Sequence, residues 1–282
     1  GGLIHVNVVG CALFAAISGS SAATVATVGK MSIPELRKRN YPEKILLGSL
    51  AGSGTLGLLI PPSIILIIYG VAVQESIAKL FIAGIIPGIM IALIFMSYVI
   101  IWSLINKKSM PKIIEEYSFF EKIKRSKQLL PVIILILAVI GSIYTGIATA
   151  TEAASLGVVG ALILSYFQKS LTLKTFKSSL LGATKTSCMI AFILAGSTFL
   201  SLAMGFTGLP RNLALWIQNM ELSPYVLIFV LMIFYIILGM FLDGISAVVL
   251  TMAIIEPMIR QAGFDMIWFG IFLVIVVEMA QI

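Results

Sequence analysis

Two short clusters of polar and small residues interrupt long apolar stretches, and their oxygen atoms suit the binding of a hard cation. The first is SGSSAAT, residues 18–24, and the second is LDGIS, residues 242–246. Hard cations prefer oxygen ligands. The first cluster offers hydroxyl groups without a carboxylate, whereas the second contains Asp243. A neutral cage of this kind would hold an ion weakly enough to release it.

A first cation site is predicted where the hydroxyl cluster meets the segment GTLGLLIPPS, residues 54–63. Pro61 and Pro62 lack backbone N–H groups and crowd the preceding turn, so a helix should break there and leave carbonyl groups unpaired. Hydroxyls and freed carbonyls together would form the cage. The residues expected in it are Ser18, Gly19, Ser20, Ser21, Thr24, Gly54, Thr55, Gly57 and Pro61.

Two plainer interpretations accompany this prediction. Small residues such as Ser18, Gly19 and Ser21 also occur at ordinary helix contacts in membranes. The double proline alone is also consistent with a simple kink. The short arms around the first cluster, the break after it and a repeat of the arrangement later in the chain together favour a site.

The composition places the chain in a membrane. With 60% hydrophobic and 11% charged residues, the 282-residue chain has too little polar surface to cover a water-soluble globule. The apolar runs are continuous rather than alternating, which predicts helices and not barrel strands. A helix needs about 20 apolar residues to cross a bilayer. Candidate segments are 45–73, 81–105, 129–147, 152–167, 182–206, 223–241 and 267–282.

The basic residues are concentrated in three segments. Of 19 Lys and Arg residues, four fall in 35–44, seven in 106–127 and four in 168–185. The positive-inside rule makes these segments cytoplasmic. A net charge of +7 would suggest nucleic acid as a partner for a soluble protein, but this distribution indicates anionic lipid headgroups and no nucleic acid. Residues 168–180 alternate basic and apolar residues, which predicts an amphipathic helix on the cytoplasmic surface.

With those loops inside, the segments around the first cluster are too short to cross the membrane. Residues 4–17 and 21–33 offer about 13 residues each, ~20 Å of helix against ~30 Å of hydrocarbon. They are therefore predicted to form a re-entrant hairpin from the cytoplasm, with its turn at residues 18–21. Non-helical backbone at that depth is tolerated only where it faces protein or a watery cavity. Residues 223–259 are predicted as a second hairpin, which enters from outside and has a long first arm and a short second arm.

The two halves of this scheme point in opposite directions. A spacing of 223 residues aligns Pro34 with Pro257, and a spacing of 225 aligns Ser21-Ala22 with Ser246-Ala247. Inverted repeats with broken helices are typical of secondary transporters. The predicted fold is an all-α integral membrane protein with inverted structural repeats, re-entrant hairpins and broken transmembrane helices.

Ionisable residues within apolar segments are further candidates for function. Asp243 is a favoured helix N-cap residue at the start of the second arm. Glu278 lies where the second break is expected to begin. Glu152, in TATEAAS, either stabilises the start of its helix or takes part in substrate binding or gating. A second cation site is predicted from Asp243, Gly244, Ser246 and Glu278.

Several stretches resemble the large membrane subunit of the tripartite ATP-independent periplasmic (TRAP) transporters, in the ion-transporter superfamily. They are FAAISGSSAATVATVG, GTLGLLIPPSIILIIYG, SIAKLFIAGIIPG, TATEAASLGVVGALI and LGMFLDGISAVVL. The chain starts inside the first repeat and ends before a second proline break, so it is expected to be a fragment lacking both ends of such a subunit. Ala253 and Glu256 depart from the family pattern in the second hairpin.

The resemblance implies an elevator-type symporter that imports an acidic organic solute, such as a C4-dicarboxylate or a sialic acid, with a sodium gradient. It implies a small membrane subunit and a soluble periplasmic binding protein as partners, the bacterial inner membrane as location, and no cofactor other than sodium ions. Helix N-termini after Gly19 and Gly244 would present partial positive charge to a substrate carboxylate. The residues expected to face substrate are Ser20, Ser21, Pro62, Ser63 and Gly244.

Two other transport functions stay open: an ion channel with a hydroxyl-lined filter, and a proton-coupled anion transporter of related fold. An enzyme is disfavoured, because the sequence has no His-Glu-x-x-His motif and no base beside its serines beyond Lys30 and His5. Cys11 and Cys188 lie far apart and form neither a disulfide framework nor a CxxC motif.

The expected organisation follows the chain in nine segments. These are hairpin 1 (1–34), a cytoplasmic basic loop (35–44), a broken helix (45–73), an outer loop with a linking helix (74–105), a second basic loop (106–127), scaffold helices with the amphipathic surface helix (128–181), a membrane helix with an outer segment (182–222), hairpin 2 (223–259) and the start of a second broken helix (260–282). Both hairpins and both broken helices would form the transport domain.

Overall fold

The computed structural model describes residues 2–111, 129–208, 211–213, 215 and 223–282. All regular secondary structure in these residues is helical, which confirms the predicted all-α class. Most of the predicted basic loop 106–127 lies outside the described residues. The α-helices are α1 (His5–Ser18), α2 (Ser21–Lys38), α3 (Glu43–Gly54), α4 (Ile64–Ala72), α5 (Ile77–Ile105), α6 (Leu130–Tyr144), α7 (Ala150–Phe167), α8 (Leu173–Thr207), α9 (Pro224–Gly239), α10 (Gly244–Gln261) and α11 (Met266–Ala280).

The chain divides into two compact units, Gly1–Ile114 with Thr207–Ile282, and Glu115–Phe206. The first unit contains both predicted hairpins and the broken helix. Four helices in the described residues, α5, α7, α8 and α10, are long and apolar enough to cross a membrane. The structure is thus that of a multi-pass helical membrane protein.

In the second unit, α6 and α7 pack closely through glycines. Gly160 lies against Leu135, and Gly157 lies against Val139. The expected surface helix at 168–180 and the membrane helix after it are a single helix, α8, of 35 residues. Residues 173–207 contain no proline, and the three glycines within them have helical backbone angles, so nothing forces a break at residue 181.

The first hairpin and α3 form a three-helix packing unit. Cys11 of α1, Val28 of α2 and Leu50 of α3 share one buried cluster. The second arm continues through Pro34 to Lys38, four residues past the predicted boundary. Proline within a helix removes one backbone hydrogen bond, but Leu36 beyond it is buried in a second cluster, which offsets that cost. Part of the predicted basic loop is therefore the last turn of α2.

The predicted broken helix has a wide break. The α3 helix ends at Gly54, a 3₁₀ turn covers Thr55–Leu58, and α4 begins only at Ile64. The break starts six residues before Pro61, earlier than the prolines alone require. The Thr55 hydroxyl donates to the Gly52 carbonyl at 2.7 Å, and such local bonds favour tightening of a last helical turn.

The second hairpin consists of α9 and α10, whose arms have 16 and 18 residues. The expected inequality between a long and a short arm is therefore wrong, since α10 starts directly after Asp243 and continues through Pro257 to Gln261. Tyr235 and Thr251 join the two arms through hydroxyl groups 2.6 Å apart.

Helices α4 and α10 lie side by side and run in the same direction. Gly244 at the start of α10 lies against Ile65 at the start of α4. At the other ends, Arg260 Nη2 donates to the Val73 carbonyl at 3.1 Å. Arg260 also pairs with Glu256 at 2.9 Å. The Arg260 hydrogen bond fastens α10 to α4 at their C-terminal ends, and at the other ends Gly244 packs beside the Ile65 side chain.

The two hairpins approach the break from opposite ends of the broken helix. The far end of α2 packs beside Tyr41 and Ile45, where α3 begins, whereas the far end of α10 lies at Val73, where α4 ends. Helices α2 and α10 cover Ser21–Lys38 and Gly244–Gln261, and α3 and α11 begin at Glu43 and Met266. Each pair of starting residues differs by 223, so of the two predicted spacings the helices follow 223 and not 225.

Candidate ion and substrate site

Hydroxyl groups and one backbone carbonyl hold the tip of the first hairpin. Ser18 Oγ lies 2.9 Å from Thr24 Oγ1, and Thr24 Oγ1 donates to the Ser20 carbonyl at 2.8 Å. The Ser20 N–H donates to Ser18 Oγ at 3.3 Å. Thr24 is completely buried, while the Ser20 side chain caps the N-terminus of α2. Side chains from the end of α1 and the start of α2 therefore bring several oxygen atoms to one point.

Glycines allow the backbone of this tip to touch the backbone of the break. Gly19 has a φ of +59°, and a methyl group added to it would lie 2.7 Å from the Pro62 carbonyl oxygen. The Gly19 carbonyl accepts from the Ile64 N–H at 3.3 Å. A methyl group added to Gly57 would lie 2.8 Å from the Ser20 carbonyl oxygen. Any side chain at these two glycines would push the tip and the break apart.

The N-termini of three helices, α2, α4 and α10, meet near this contact. Ser63 caps α4, because its hydroxyl accepts from the Leu66 N–H at 3.4 Å and donates to the Leu58 carbonyl. Gly244, the first residue of α10, lies against Ile65. Helix N-termini carry partial positive charge and unpaired N–H groups. Their convergence is an arrangement that suits an anion such as a carboxylate.

A carboxylate instead of hydroxyl groups holds the second tip. Asp243 Oδ2 accepts from the N–H groups of Ile245 and Ser246 at 3.1 and 3.2 Å, and Oδ1 accepts from Ser246 Oγ at 2.5 Å. These bonds confirm the predicted N-cap role of Asp243. Asp243 is exposed, so its negative charge lies at the surface of this tip and offsets the partial positive charge of α10.

Glu278 lies between the two predicted cation sites. Sequence reasoning grouped it with the second tip, and its neighbour Val277 does lie against Gly244. Its hydrogen bond, however, is with Thr55 of the first group, whose hydroxyl is 2.8 Å from Glu278 Oε1. Glu278 is only 2% exposed, and its Oε2 atom is buried without a hydrogen-bond partner.

The remaining residues of the first predicted group lie in the same place. Gly54 packs against Val25 of α2, and the Ser21 N–H lies 2.9 Å from a methyl group added to Gly57. Pro61 is buried within the non-helical segment before Ser63. The structure thus brings the predicted residues of the first tip and the break together, while their binding of an ion stays a prediction.

Glu152 lies in the other unit and has a structural role at the start of α7. It forms a capping box with Thr149: the Thr149 N–H donates to Glu152 Oε2 at 2.8 Å, and the Glu152 N–H donates to Thr149 Oγ1 at 3.3 Å. Of the two interpretations given for Glu152, this geometry supports stabilisation of a helix start.

Sequence reasoning missed two features near the site. The N-terminus of α4 was not recognised as a third positive helix end, although Ser63 before an apolar run is an N-cap signal. The link from Arg260 to Val73 was also missed, because a side chain bonded to a backbone carbonyl 187 residues away leaves no local pattern. The Glu256–Arg260 spacing of four residues was its only visible sign.

Comparison with known proteins connects this arrangement to one family. The whole chain, residues 1–282, matches the family model described as "Tripartite ATP-independent periplasmic transporter, DctM component". The resemblance noted in the sequence is therefore confirmed over its full length.

Individual relatives match the chain at about one-third identity. It is 34% identical, over its full length, to the C4-dicarboxylate TRAP transporter large permease protein DctM of Pseudomonas aeruginosa, of which it covers 66%. It is 32% identical, over 98% of its length, to the 2,3-diketo-L-gulonate TRAP transporter large permease protein YiaN of Escherichia coli, of which it covers 64%. It is 32% identical, over 96% of its length, to the sialic acid TRAP transporter large permease protein SiaM of Vibrio cholerae, of which it covers 63%.

Proposed function

The chain belongs to the DctM component family of TRAP transporters, and from that premise we propose that it forms the binding part of a sodium-driven symporter for an acidic organic solute. The family is one of transporter permease components and not of enzymes. The observation that carries the proposal is the meeting of three helix N-termini beside a hydroxyl-lined hairpin tip within one compact unit.

Sodium is the coupling ion that best fits the first tip. Ser18, Ser20 and Thr24 supply neutral oxygen atoms within about one hydrogen-bond length of each other. Among the described residues there is no cluster of three or more His, Cys, Asp and Glu side chains that suits a transition metal. Neutral oxygen ligands favour a hard monovalent cation that must be released in every cycle.

An organic anion is the substrate class that fits the converging helix ends. The N-termini of α2 and α4 begin at Ser20 and Ser63, which leave further backbone N–H groups in the first turn of each helix. The relatives named above carry names for C4-dicarboxylates, 2,3-diketo-L-gulonate and sialic acid, all of which are acids. A carboxylate of the substrate would lie at these helix ends, with Pro62 and Gly244 beside it.

Transport in this proposal is a rigid-body shift of the unit that contains both hairpins. The Arg260–Val73 bond between α10 and α4 and the contact of Gly19 with the break make that unit internally connected. Binding of ion and substrate between the tips would close the unit, which then exposes the site on the other side of the membrane. This is the elevator mechanism.

The partners of the proposed transporter are a small membrane subunit, a soluble periplasmic binding protein and the lipid bilayer, in the bacterial inner membrane. One relative, the isethionate TRAP transporter permease protein DctMQ of Oleidesulfovibrio alaskensis, is covered by this chain over only 43% of its length. The uncovered part of that relative is large enough for a fused small subunit. For the protein that contains this chain, the small subunit is either separate or part of the same polypeptide.

Uptake by the reconstituted protein tests the proposal. The full-length protein that contains this chain is reconstituted in liposomes with its small subunit, and labelled dicarboxylates and sialic acid are offered with and without sodium and the binding protein. Uptake that requires both supports the proposal. Uptake without the binding protein contradicts the proposed partner, and flux that does not depend on sodium points to the channel or the proton-coupled transporter instead.

A further inference from the structure

The contact between Thr55 and Glu278 has an unusual hydrogen count. Thr55 Oγ1 lies 2.7 Å from the Gly52 carbonyl oxygen and 2.8 Å from Glu278 Oε1. A threonine hydroxyl has one hydrogen to donate, and both neighbours are acceptors when the carboxylate is ionised. One of the two short oxygen–oxygen contacts is then without a hydrogen atom and repulsive, and either a proton on Glu278 or a bound cation relieves the repulsion.

The second carboxylate oxygen of Glu278 also lacks a hydrogen-bond donor. Glu278 Oε2 is buried and has no hydrogen-bond partner, although the residue is only 2% exposed. A buried, unpaired carboxylate oxygen is costly, and such groups are normally paired or bound to a cation. Thr55 itself is 5% exposed, so bulk water does not reach the pair freely.

Thr55 and Glu278 occupy equivalent positions in the two inverted repeats. Thr55 and Glu278 are 223 residues apart, the spacing that separates the starts of α2 and α10 and the starts of α3 and α11. The two residues are therefore equivalent positions of the two inverted repeats. In a two-fold arrangement, equivalent positions touch each other only on the symmetry axis.

We propose that the Gly52 carbonyl, the Thr55 hydroxyl and the Glu278 carboxylate form a cation site on the axis between the two repeats, with ligands other than the hydroxyls of Ser18, Ser20 and Thr24. The cation lies between these oxygen atoms, and its positive charge takes the place of the hydrogen atom that is missing between two of them. Its identification as sodium rests on the proposed function. Because both repeats contribute ligands, a cation binds this site only when the two repeats are correctly positioned against each other.

Cation-dependent thermal unfolding of the purified full-length protein tests the site without any transport step. The midpoint of unfolding is followed by intrinsic tryptophan fluorescence during titration with sodium, with choline replacing it to keep ionic strength constant. Glu278→Gln keeps the shape of the side chain and removes its charge. It should raise the sodium concentration for half-maximal stabilisation by about tenfold or more, since loss of one charged ligand is worth at least a decade in affinity. Glu35→Gln, which removes an exposed carboxylate on α2, should leave that concentration unchanged.

An exchange of the two residues is the sharper test. Thr55→Glu alone places two carboxylates on the axis, and Glu278→Thr alone removes the Glu278 carboxylate. Both single variants should lose the share of sodium-dependent stabilisation that Glu278→Gln also loses, while any stabilisation from sodium at the first tip stays. The double variant Thr55→Glu with Glu278→Thr should recover it to within about threefold of the wild-type concentration, because the axis makes the two positions interchangeable. Failure of the double variant to recover would overturn the shared axial site.

The outcomes separate this inference from the proposed function. An unchanged sodium response in Glu278→Gln overturns the axial site and leaves sodium-driven symport intact. Cation stabilisation that depends on Glu278 in a protein without sodium-driven uptake supports the site and contradicts the symporter. A wild-type protein that no sodium concentration stabilises overturns the site.

Discussion

The two hairpin tips share a backbone plan but differ in the groups that stabilise them. At the first tip, neutral hydroxyls of Ser18 and Thr24 bond to each other and to a backbone carbonyl. At the second tip, the exposed Asp243 carboxylate caps the helix alone. The arms after the tips both have 18 residues. The two repeats therefore share the backbone arrangement of helix, tip and helix, but the first tip is neutral and the second carries a negative charge.

The tips also differ in what they touch. Gly57 brings the break against backbone atoms of Ser20, whereas Gly244 meets the end of the Ile65 side chain. Backbone cannot move without moving a helix, but a side chain end can rotate away. The first tip is thus rigidly attached to the break, and the second has more freedom.

Adding a methyl group at each tip should give the largest contrast. Gly57→Ala places its methyl group 2.8 Å from backbone atoms of Ser20 and should destabilise the protein by about 2–3 kcal/mol and abolish measurable uptake. Gly244→Ala should cost about half as much, since Ile65 can rotate. Thermal unfolding in detergent and uptake in liposomes measure both. Gly48→Ala is the control, because nothing lies within 4 Å of a methyl group there.

This prediction has a clear contrary result. If Gly244→Ala is as damaging as Gly57→Ala, the second tip is as rigidly held as the first, and the contrast between the two tips is lost.

Removing one buried hydroxyl at the first tip should have the next largest effect. Thr24→Val keeps the shape of the side chain but leaves the Ser20 carbonyl and Ser18 hydroxyl without this partner. A loss of about 1–2 kcal/mol of stability is expected, together with a raised sodium requirement for uptake. Ser97→Ala removes a hydroxyl from the exposed surface of α5 and should change neither quantity. Equal behaviour of the two variants would exclude a special role for the buried network.

Changes at the second tip should separate capping from charge. Asp243→Ala loses the helix cap and should cost about 1 kcal/mol, while Asp243→Asn keeps a cap and should cost only a few tenths. If the carboxylate also binds a cation, Asp243→Asn lowers sodium affinity at nearly unchanged stability. Sodium-dependent uptake and thermal unfolding of the same two preparations distinguish these effects. Equal stability of both variants would mean that the cap contributes nothing.

A smaller effect is expected from single hydroxyls at the rim of the first tip. Ser20→Ala or Ser21→Ala should each raise the sodium concentration for half-maximal uptake by about two- to fivefold, since one of several neutral ligands is lost. An unchanged sodium dependence in both variants would remove the first tip from the ion site.

The smallest effect is expected from the helix cap at Glu152, in the other compact unit. Glu152→Gln weakens a capping box at the start of α7 in the other unit, and a glutamine can still reach the Thr149 N–H. Sodium dependence and uptake should stay within about twofold of the wild-type values. A large loss of uptake would restore the gating interpretation of Glu152.

The sequence indicated the elements of this fold because their signals are local. Serine and glycine between short apolar arms located the first tip, and Pro61-Pro62 located the break. Asp243 before an apolar run predicted a helix cap, which the structure confirms. Each of these features depends on neighbours within a few residues, where propensity and capping act directly.

Contacts between distant segments were beyond the sequence. The basic residues at the start of α8 suggest a boundary near residue 181, but no helix breaker follows, so one helix continues to Thr207. The pairing of Glu278 with Thr55 depends on how α11 packs against the break, and no local pattern encodes it. The same holds for Arg260 and Val73.

The Thr55–Glu278 contact also bears on how such a chain can originate. Suppose that each repeat were a separate polypeptide and that two identical copies assembled into a dimer. The position on the axis would then meet its own copy, as threonine against threonine or glutamate against glutamate, and two buried glutamates would repel. A hydroxyl paired with a carboxylate at this position requires two different sequences. Gene fusion followed by divergence of the two repeats permits that difference. A homodimer of single repeats could not have formed this threonine–glutamate contact on its axis.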